Sequence, residues 1–67
     1  MKVREIIRRL RDAGWKQVRM VGSRRQFRHP DRPGVVTVAG TENKDIPVGT
    51  LKSILKQAGM DDEEFTQ

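Results

Sequence analysis

A chain of 67 residues is long enough for one small domain, and its lack of cysteine excludes a disulfide framework and a cysteine-ligated zinc site. Fourteen Lys and Arg against nine Asp and Glu give a net charge of +5, and residues 1–32 hold eleven of the basic but only three of the acidic side chains, which favours a polyanion-binding surface. No apolar run approaches the ~18 residues of a membrane span and no apolar leader is present, so we expect a soluble, cytoplasmic protein.

The first predicted element is an amphipathic helix that starts at Val3 and ends before Gly14. Its apolar residues recur at i, i+3, i+4 and i+7, the spacing of a helix that covers a core, and glycine is a typical helix stop. The opposite face carries Arg4, Arg8 and Arg11. This basic stripe is either an ordinary solvated face or a surface for polyanions. The apolar stripe consists of Val3, Ile6, Ile7, Leu10 and Ala13.

A strand is predicted next, because the hydrophobic period changes from helical to twofold. Val18 and Met20 are expected to point to one side and Gln17 and Arg19 to the other, as in a half-buried strand. Trp15, at the junction, is expected to pack over the end of the first helix rather than to stack on a nucleic-acid base.

Gly22 and Ser23 predict a tight turn into a second strand that is rich in arginine. If Phe27 points into the core, strand alternation puts Arg25 and His29 on the same side. His29 is then expected to be a partly exposed strand-end residue, since no second imidazole or metal ligand accompanies it. The opposite, open row consists of Arg24, Gln26 and Arg28.

The third strand is predicted over residues 35–39, which are mostly β-branched. The proline-rich residues 30–34 before it are expected to form a loop. Residues 40–45 after it are polar and predict a second connection. Adjacent strands with short connections favour an antiparallel meander.

A second amphipathic helix follows, with Gly49 and Thr50 as its expected N-cap and Gly59 as its stop. Lys52 lies on its exposed face. Residues 61–67 are acidic and predict the frayed start of a third helix. The apolar stripe of the second helix consists of Leu51, Ile54, Leu55 and Ala58.

Together these elements predict an α+β fold with the order α-β-β-β-α, formed by residues 1–60 as one domain. Both helices are expected to cover one face of a three-stranded antiparallel sheet. The other face stays wet and carries the arginine row. The sequence has no set of metal ligands and no Gly-rich loop that opens a helix, so we expect neither a metal enzyme nor a nucleotide-phosphate loop.

Three blocks of the sequence are familiar: residues 22–30, residues 43–47, and the segment GTLKSILKQAG at residues 49–59. With this combination the chain resembles the HicA (YcfA-like) toxins of bacterial toxin-antitoxin pairs, over nearly all of residues 1–60. The resemblance implies a double-stranded-RNA-binding-domain-like fold. It also implies a toxin that cleaves mRNA without a metal or cofactor and is neutralised by a HicB-like antitoxin.

The chain departs from the family at the position that matters most. In HicA toxins the catalytic histidine directly follows the Gly-Ser pair, where this sequence has Arg24. Many relatives also have a histidine in the loop after the third strand, where this chain has Gly40, Thr41 and Glu42. A guanidinium binds phosphate but accepts no proton, so Arg24 cannot serve as a general base. His29 is a poor substitute, because five residues of extended strand span roughly 16 Å and end on the opposite face.

Three hypotheses follow from these observations. The chain is a HicA-like ribonuclease that is impaired by Arg24, an RNA-binding module that does not cut, or an interaction protein whose basic surface meets an acidic antitoxin. A sequence-specific DNA reader is less expected, because no helix-turn-helix spacing is present. The candidate RNA-binding residues are Ser23, Arg24, Arg25, Arg28, Arg4, Arg8 and Lys52, and Arg24 marks the catalytic position.

Overall fold

The computed structural model describes residues 1–60 and contains two helices and three strands in the predicted order. The prediction of a third helix over residues 61–67 lies outside the described residues. The strands form one antiparallel sheet in the order β1-β2-β3, so the α-β-β-β-α arrangement is confirmed. The elements are α1 (Val3–Asp12), β1 (Lys16–Val21), β2 (Arg24–His29), β3 (Arg32–Ala39) and α2 (Val48–Ala58).

A single apolar core lies between the sheet and the two helices, which pack chiefly on β3. Trp15 is fully buried, as predicted. Ala13 is exposed, because α1 ends at Asp12 before the stripe reaches it. The core comprises Val3, Ile6, Ile7, Leu10, Trp15, Phe27, Val36, Val38, Ile46, Leu51, Ile54, Leu55 and Ala58.

The start of α1 is joined to the segment that precedes α2. The Val3 amide donates to the Lys44 carbonyl at 2.9 Å, and the Ile46 amide donates to the Met1 carbonyl at 2.9 Å. An isolated antiparallel bridge pairs Lys2 with Asp45, and their side chains form an ion pair at 3.3 Å. The Val3 bond satisfies an amide at the helix start that has no partner within the helix, where no side chain caps it.

The second helix begins earlier than the sequence predicted. Pro47 occupies the N-cap position and its carbonyl accepts the Leu51 amide at 2.9 Å, so the cap predicted at Gly49 and Thr50 is wrong. Pro47 has a φ of −57° and an extended ψ, which suit a residue that leads into a helix. Gly59 ends α2 with a left-handed φ of +67°, as predicted.

The half-buried pattern predicted for β1 is wrong. Val18 is 55% exposed and Met20 is 50% exposed, whereas Gln17 is half-buried. A bulge between Gln17 and Arg19 interrupts the strand alternation at Val18. In addition, β1 lies at the sheet edge farthest from β3, on which the helices mainly pack.

The third strand begins at Arg32 rather than at Val35. His29 pairs with Arg32, and Phe27 pairs with Val36, so the register shifts between these pairs. Pro33 and the residue after it fall in this irregular stretch, where a proline takes no hydrogen bond away from the regular ladder. Residues 32–34, predicted as loop, therefore belong to an edge strand.

Candidate nucleic-acid interface

The face of the sheet opposite the helices is the open face, and its composition follows from strand register. Residues paired across antiparallel strands place their side chains on the same side. Since Phe27 points into the core, its neighbours Gln26 and Arg28 point outwards, as predicted. Arg28 pairs with Lys16, and Gln26 pairs with Arg19, so β1 adds two cations to the predicted row. The basic cluster of the open face consists of Lys16, Arg19, Arg24 and Arg28.

The turn that contains Gly22 and Ser23 is fixed by the loop that follows β3. Gly22 has a φ of +59°, which favours glycine, and the Ser23 carbonyl accepts the Gly40 amide at 3.0 Å. This bond brings the end of β3 against the start of β2. The backbone of Arg24 is therefore fixed at one corner of the open face. Its side chain is exposed to solvent.

Arg24 is the first residue of β2 and pairs with Val21 on one side and Ala39 on the other. Arg24 is exposed, so its guanidinium is accessible. Within residues 1–60 no hydrogen bond or ion pair engages its side chain. A charged group with five N–H donors is thus available at this corner for an anion.

Arg25 is on the helix side of the sheet, apart from the basic cluster. Its side chain is only 15% exposed, and Nη2 donates to Oε1 of Glu42 at 3.4 Å. Its Nε is buried and has no hydrogen-bond partner within the described residues. Arg25 therefore ties residues 40–45 to β2, and it is not brought together with Arg24 and Arg28.

The remaining predicted binding residues lie on the helices. Arg4 donates from Nη1 to Oδ1 of Asn43 at 3.3 Å, at the same end of the molecule as the Gly-Ser turn. Arg8 is exposed on α1, where it lines a shallow depression together with carboxylates and a second arginine. Lys52 is exposed on α2. Since both helices cover the opposite side of the sheet, Arg8 and Lys52 do not extend the open face.

The single histidine is held by contacts at the other end of β2. The Asp31 amide donates to Nδ1 of His29 at 3.0 Å, so the proton of the neutral ring lies on Nε2, which donates to the Ala13 carbonyl at 3.0 Å. The ring also packs against Trp15 with 5.3 Å between centroids. His29 thus joins the end of α1 to the β2–β3 turn.

Other kinds of site are not indicated by the described part of the chain. Residues 1–60 contain no group of three or more side chains able to hold a metal ion. No helix in the same range is long and apolar enough to cross a membrane.

Comparison with protein families decides the assignment of the chain. The family described as HicA toxin of bacterial toxin-antitoxin matches residues 3–60, which include both helices and all three strands. The chain belongs to the HicA toxin family. It is accordingly a toxin of a toxin-antitoxin system, and the family implies a cognate antitoxin as its partner. Among the curated proteins searched, none matches this HicA-family chain.

Sequence reasoning on the HicA-family chain missed two cations of the open face. Lys16 and Arg19 precede and follow the bulge in β1, and only the register shows that both face the same way as Arg24. It also missed Glu42 as the partner of Arg25, because the pair joins residues 17 positions apart. A motif search along the chain has no signal for either feature.

Proposed function

We propose that this HicA-family toxin binds RNA on the open face, and that Arg24 makes it a weak or inactive ribonuclease. The observation that supports the proposal most directly is the exposed guanidinium of Arg24 immediately after the Gly-Ser turn. In the family this is the position of the catalytic histidine. An RNA bound here in the cytoplasm would meet a phosphate-binding group where relatives have an acid-base group.

The charge of the sheet favours RNA as the ligand. The three strands contain six Lys and Arg residues and no Asp or Glu. Four of these cations make up the basic cluster, so an RNA backbone that crosses the open face meets only positive or neutral side chains. Such contacts to phosphate give strong, salt-dependent binding with little sequence preference.

The chemistry of metal-free RNA cleavage explains the expected loss of activity. A base must take the proton from the 2′-hydroxyl, and an acid must supply one to the departing 5′-oxygen. Imidazole performs either role near neutral pH, whereas a guanidinium remains charged and can only stabilise the phosphate. Loss of a general base typically lowers the rate by about 10²- to 10⁴-fold.

A second candidate function is RNA binding without any cleavage. The contacts of His29 favour it, because both nitrogens of the only imidazole are engaged away from Arg24. In this case the protein acts by occupying RNA. The two functions differ only in residual cleavage.

We further propose that a HicB-type antitoxin neutralises the toxin. The excess of basic residues supports an acidic partner, because opposite charge accelerates association. A protein of that kind would compete with RNA for the same positive surface.

The test is an RNA cleavage assay of the wild-type protein beside the Arg24→His variant. We expect the variant to cut a model RNA about 10²- to 10⁴-fold faster and to arrest growth on expression. Arg11→His is the matched control, since it makes the same substitution at an exposed position of α1. If Arg24→His neither cuts RNA nor arrests growth, the nuclease proposal fails.

Gel mobility measured in parallel separates cutting from binding. If the basic cluster neutralises four phosphates of a duplex, the log-log slope of affinity against salt should be about −3 to −4. Affinity that does not change with salt would rule out both RNA-binding functions.

A further inference from the structure

An unusual share of exposed apolar surface lies on one edge strand. Within residues 1–60, four large hydrophobic residues are exposed, and three of them belong to the six residues of β1. Val18 is 55%, Met20 is 50% and Val21 is 52% exposed. Isolated surface hydrophobics are normal, but three on one six-residue edge strand leave apolar surface on both sides of that edge, which a partner would cover.

The three side chains surround the edge of the sheet. Val21 pairs with Arg24 and so faces the open side, whereas Met20 pairs with Arg25 and faces the helix side. Val18 is the extra residue of the bulge, and it precedes Met20 and Val21 along the strand. We call Val18, Met20 and Val21 the β1 patch.

The backbone of β1 also lacks a neighbour on one side. In the described sheet β1 pairs only with β2, so a row of its N–H and C=O groups faces outwards. Edge strands of this kind accept an extended segment of another protein, with backbone hydrogen bonds for affinity and side chains for specificity.

The charges around this edge favour one kind of partner over another. Lys16 and Arg19 belong to the same strand, and Arg24 adjoins Val21, so cations surround the β1 patch. A second copy paired along β1 would bring these cations together, and the bulge would also disturb the pairing. An acidic partner would bring opposite charges to the cations and apolar groups to the centre, which is the common anatomy of a protein interface.

We propose that the β1 patch is the docking surface for the cognate antitoxin, which lays an acidic segment with apolar side chains along β1. This inference rests on the proposed function in one respect, namely that the partner is an antitoxin that inhibits the toxin. Because Val21 and Arg24 are paired neighbours, a segment seated on Val21 also contacts the corner of the open face.

The experiment compares the Val18→Thr/Met20→Gln variant with wild type and with Val48→Thr. Both variants replace exposed apolar side chains with polar ones of similar size, so we expect them to fold. Val48 is 63% exposed at the start of α2, outside the β1 patch. Titration calorimetry measures the affinity for the purified cognate antitoxin. We expect the double variant to bind about tenfold or more weakly, mainly through faster dissociation, and Val48→Thr to match wild type.

Three further readouts, which are association rate, RNA affinity and sedimentation, decide between occupants. Arg19→Glu should slow antitoxin association, because it reverses a charge beside the β1 patch. Wild-type affinity of the double variant for the antitoxin overturns the inference. So does a loss of RNA affinity without a loss of antitoxin affinity, or a wild-type dimer in sedimentation that the double variant abolishes.

Failure of the docking inference can be distinguished from failure of the proposed function. The Val18→Thr and Met20→Gln substitutions, placed in the Arg24→His background, should retain RNA cleavage while they weaken antitoxin binding. If Arg24→His does not cut RNA but the double variant still loses antitoxin affinity, the docking surface stands and the nuclease proposal fails. If wild type does not bind the antitoxin, the docking inference is overturned whatever the RNA results.

Discussion

Arg24 and His29 stand at the two ends of one six-residue strand, and the fold treats them in opposite ways. Arg24 is exposed beside a turn, and within residues 1–60 its side chain has no polar partner. His29 is half-buried, packs on Trp15 and uses both ring nitrogens in hydrogen bonds. The residue type with the greater capacity for acid-base chemistry has a structural position, and the accessible position has a residue that cannot accept a proton.

This difference shows that residue type alone does not identify a reactive group. Imidazole is the usual general base near neutral pH, and a lone histidine next to three arginines invites a catalytic interpretation. The hydrogen bonds to Ala13 and Asp31 leave neither nitrogen of His29 available to a substrate. Accessibility and hydrogen-bond partners therefore show which end of β2 has a side chain free to contact a ligand.

The largest expected effect is on the rate of RNA cleavage, when the imidazole is moved from the His29 end of β2 to the Arg24 end. The double variant Arg24→His/His29→Gln should cleave RNA at the rate of Arg24→His alone, about 10²- to 10⁴-fold above wild type. Initial rates on a fluorescent RNA measure this comparison. A fall to the wild-type rate would mean that His29 takes part in the chemistry and would break the contrast between the two ends.

The free energy of unfolding should depend on His29 much more than on Arg24. His29→Ala removes two hydrogen bonds and the packing on Trp15, so we expect a loss of about 2 to 3 kcal/mol in the free energy of unfolding. Arg24→Ala should change it by less than about 0.5 kcal/mol, because the side chain is exposed. Urea unfolding followed by Trp15 fluorescence measures both values. A loss of less than about 0.5 kcal/mol for His29→Ala as well would show that His29 is not a structural residue.

Substitution of one glycine near each end of β2 tests the same comparison between His29 and Arg24. A Cβ on Gly14, which has a φ of +96°, would lie 2.7 Å from Nε2 of His29, whereas a Cβ on Gly22 would meet nothing within 4 Å. We expect Gly14→Ala to cost about 2 kcal/mol of stability and Gly22→Ala about 1 kcal/mol, the cost of the left-handed backbone alone. The urea midpoints of the two variants give the order. A larger cost for Gly22→Ala would contradict the close packing at His29.

The smallest expected effect is on the salt dependence of RNA binding. Arg24→Ala should make the log-log slope less steep by about 0.9 on a duplex, the contribution of one phosphate contact. His29→Gln should leave the slope unchanged. Gel mobility at several salt concentrations measures both, and an unchanged slope for Arg24→Ala would exclude a phosphate contact at that corner.

The sequence predicted the features that depend on local periodicity and on glycine. The apolar stripe of α2 and the stop at Gly59 are confirmed, because spacing along a helix fixes which residues share a face. The β1 pattern was wrong, because a bulge and the position of the helices over β3 decide burial there. Neither is a local property of residues 16–21.

The candidate site was predictable in part for the same reason. Alternation around Phe27 correctly put Arg24 and Arg28 on the open face, since the extra residues at both register shifts lie in β1 and β3 and not in β2. Lys16 and Arg19 joined them only through pairing across strands, which sequence spacing does not reveal. The RNA-binding and catalytic roles assigned to these residues stay predictions until the assays above are made.

The join between the start of α1 and the segment before α2 has a consequence for synthesis of the toxin. Met1, Lys2 and Val3 bond to residues 44–46, and Gly40 fixes the turn after Gly22. The first three residues of a chain that leaves the ribosome therefore have no partners until residues 44–46 have been made. We expect the start of α1 to become fixed late in synthesis, after the whole sheet has been made, because its partners follow β3 along the chain.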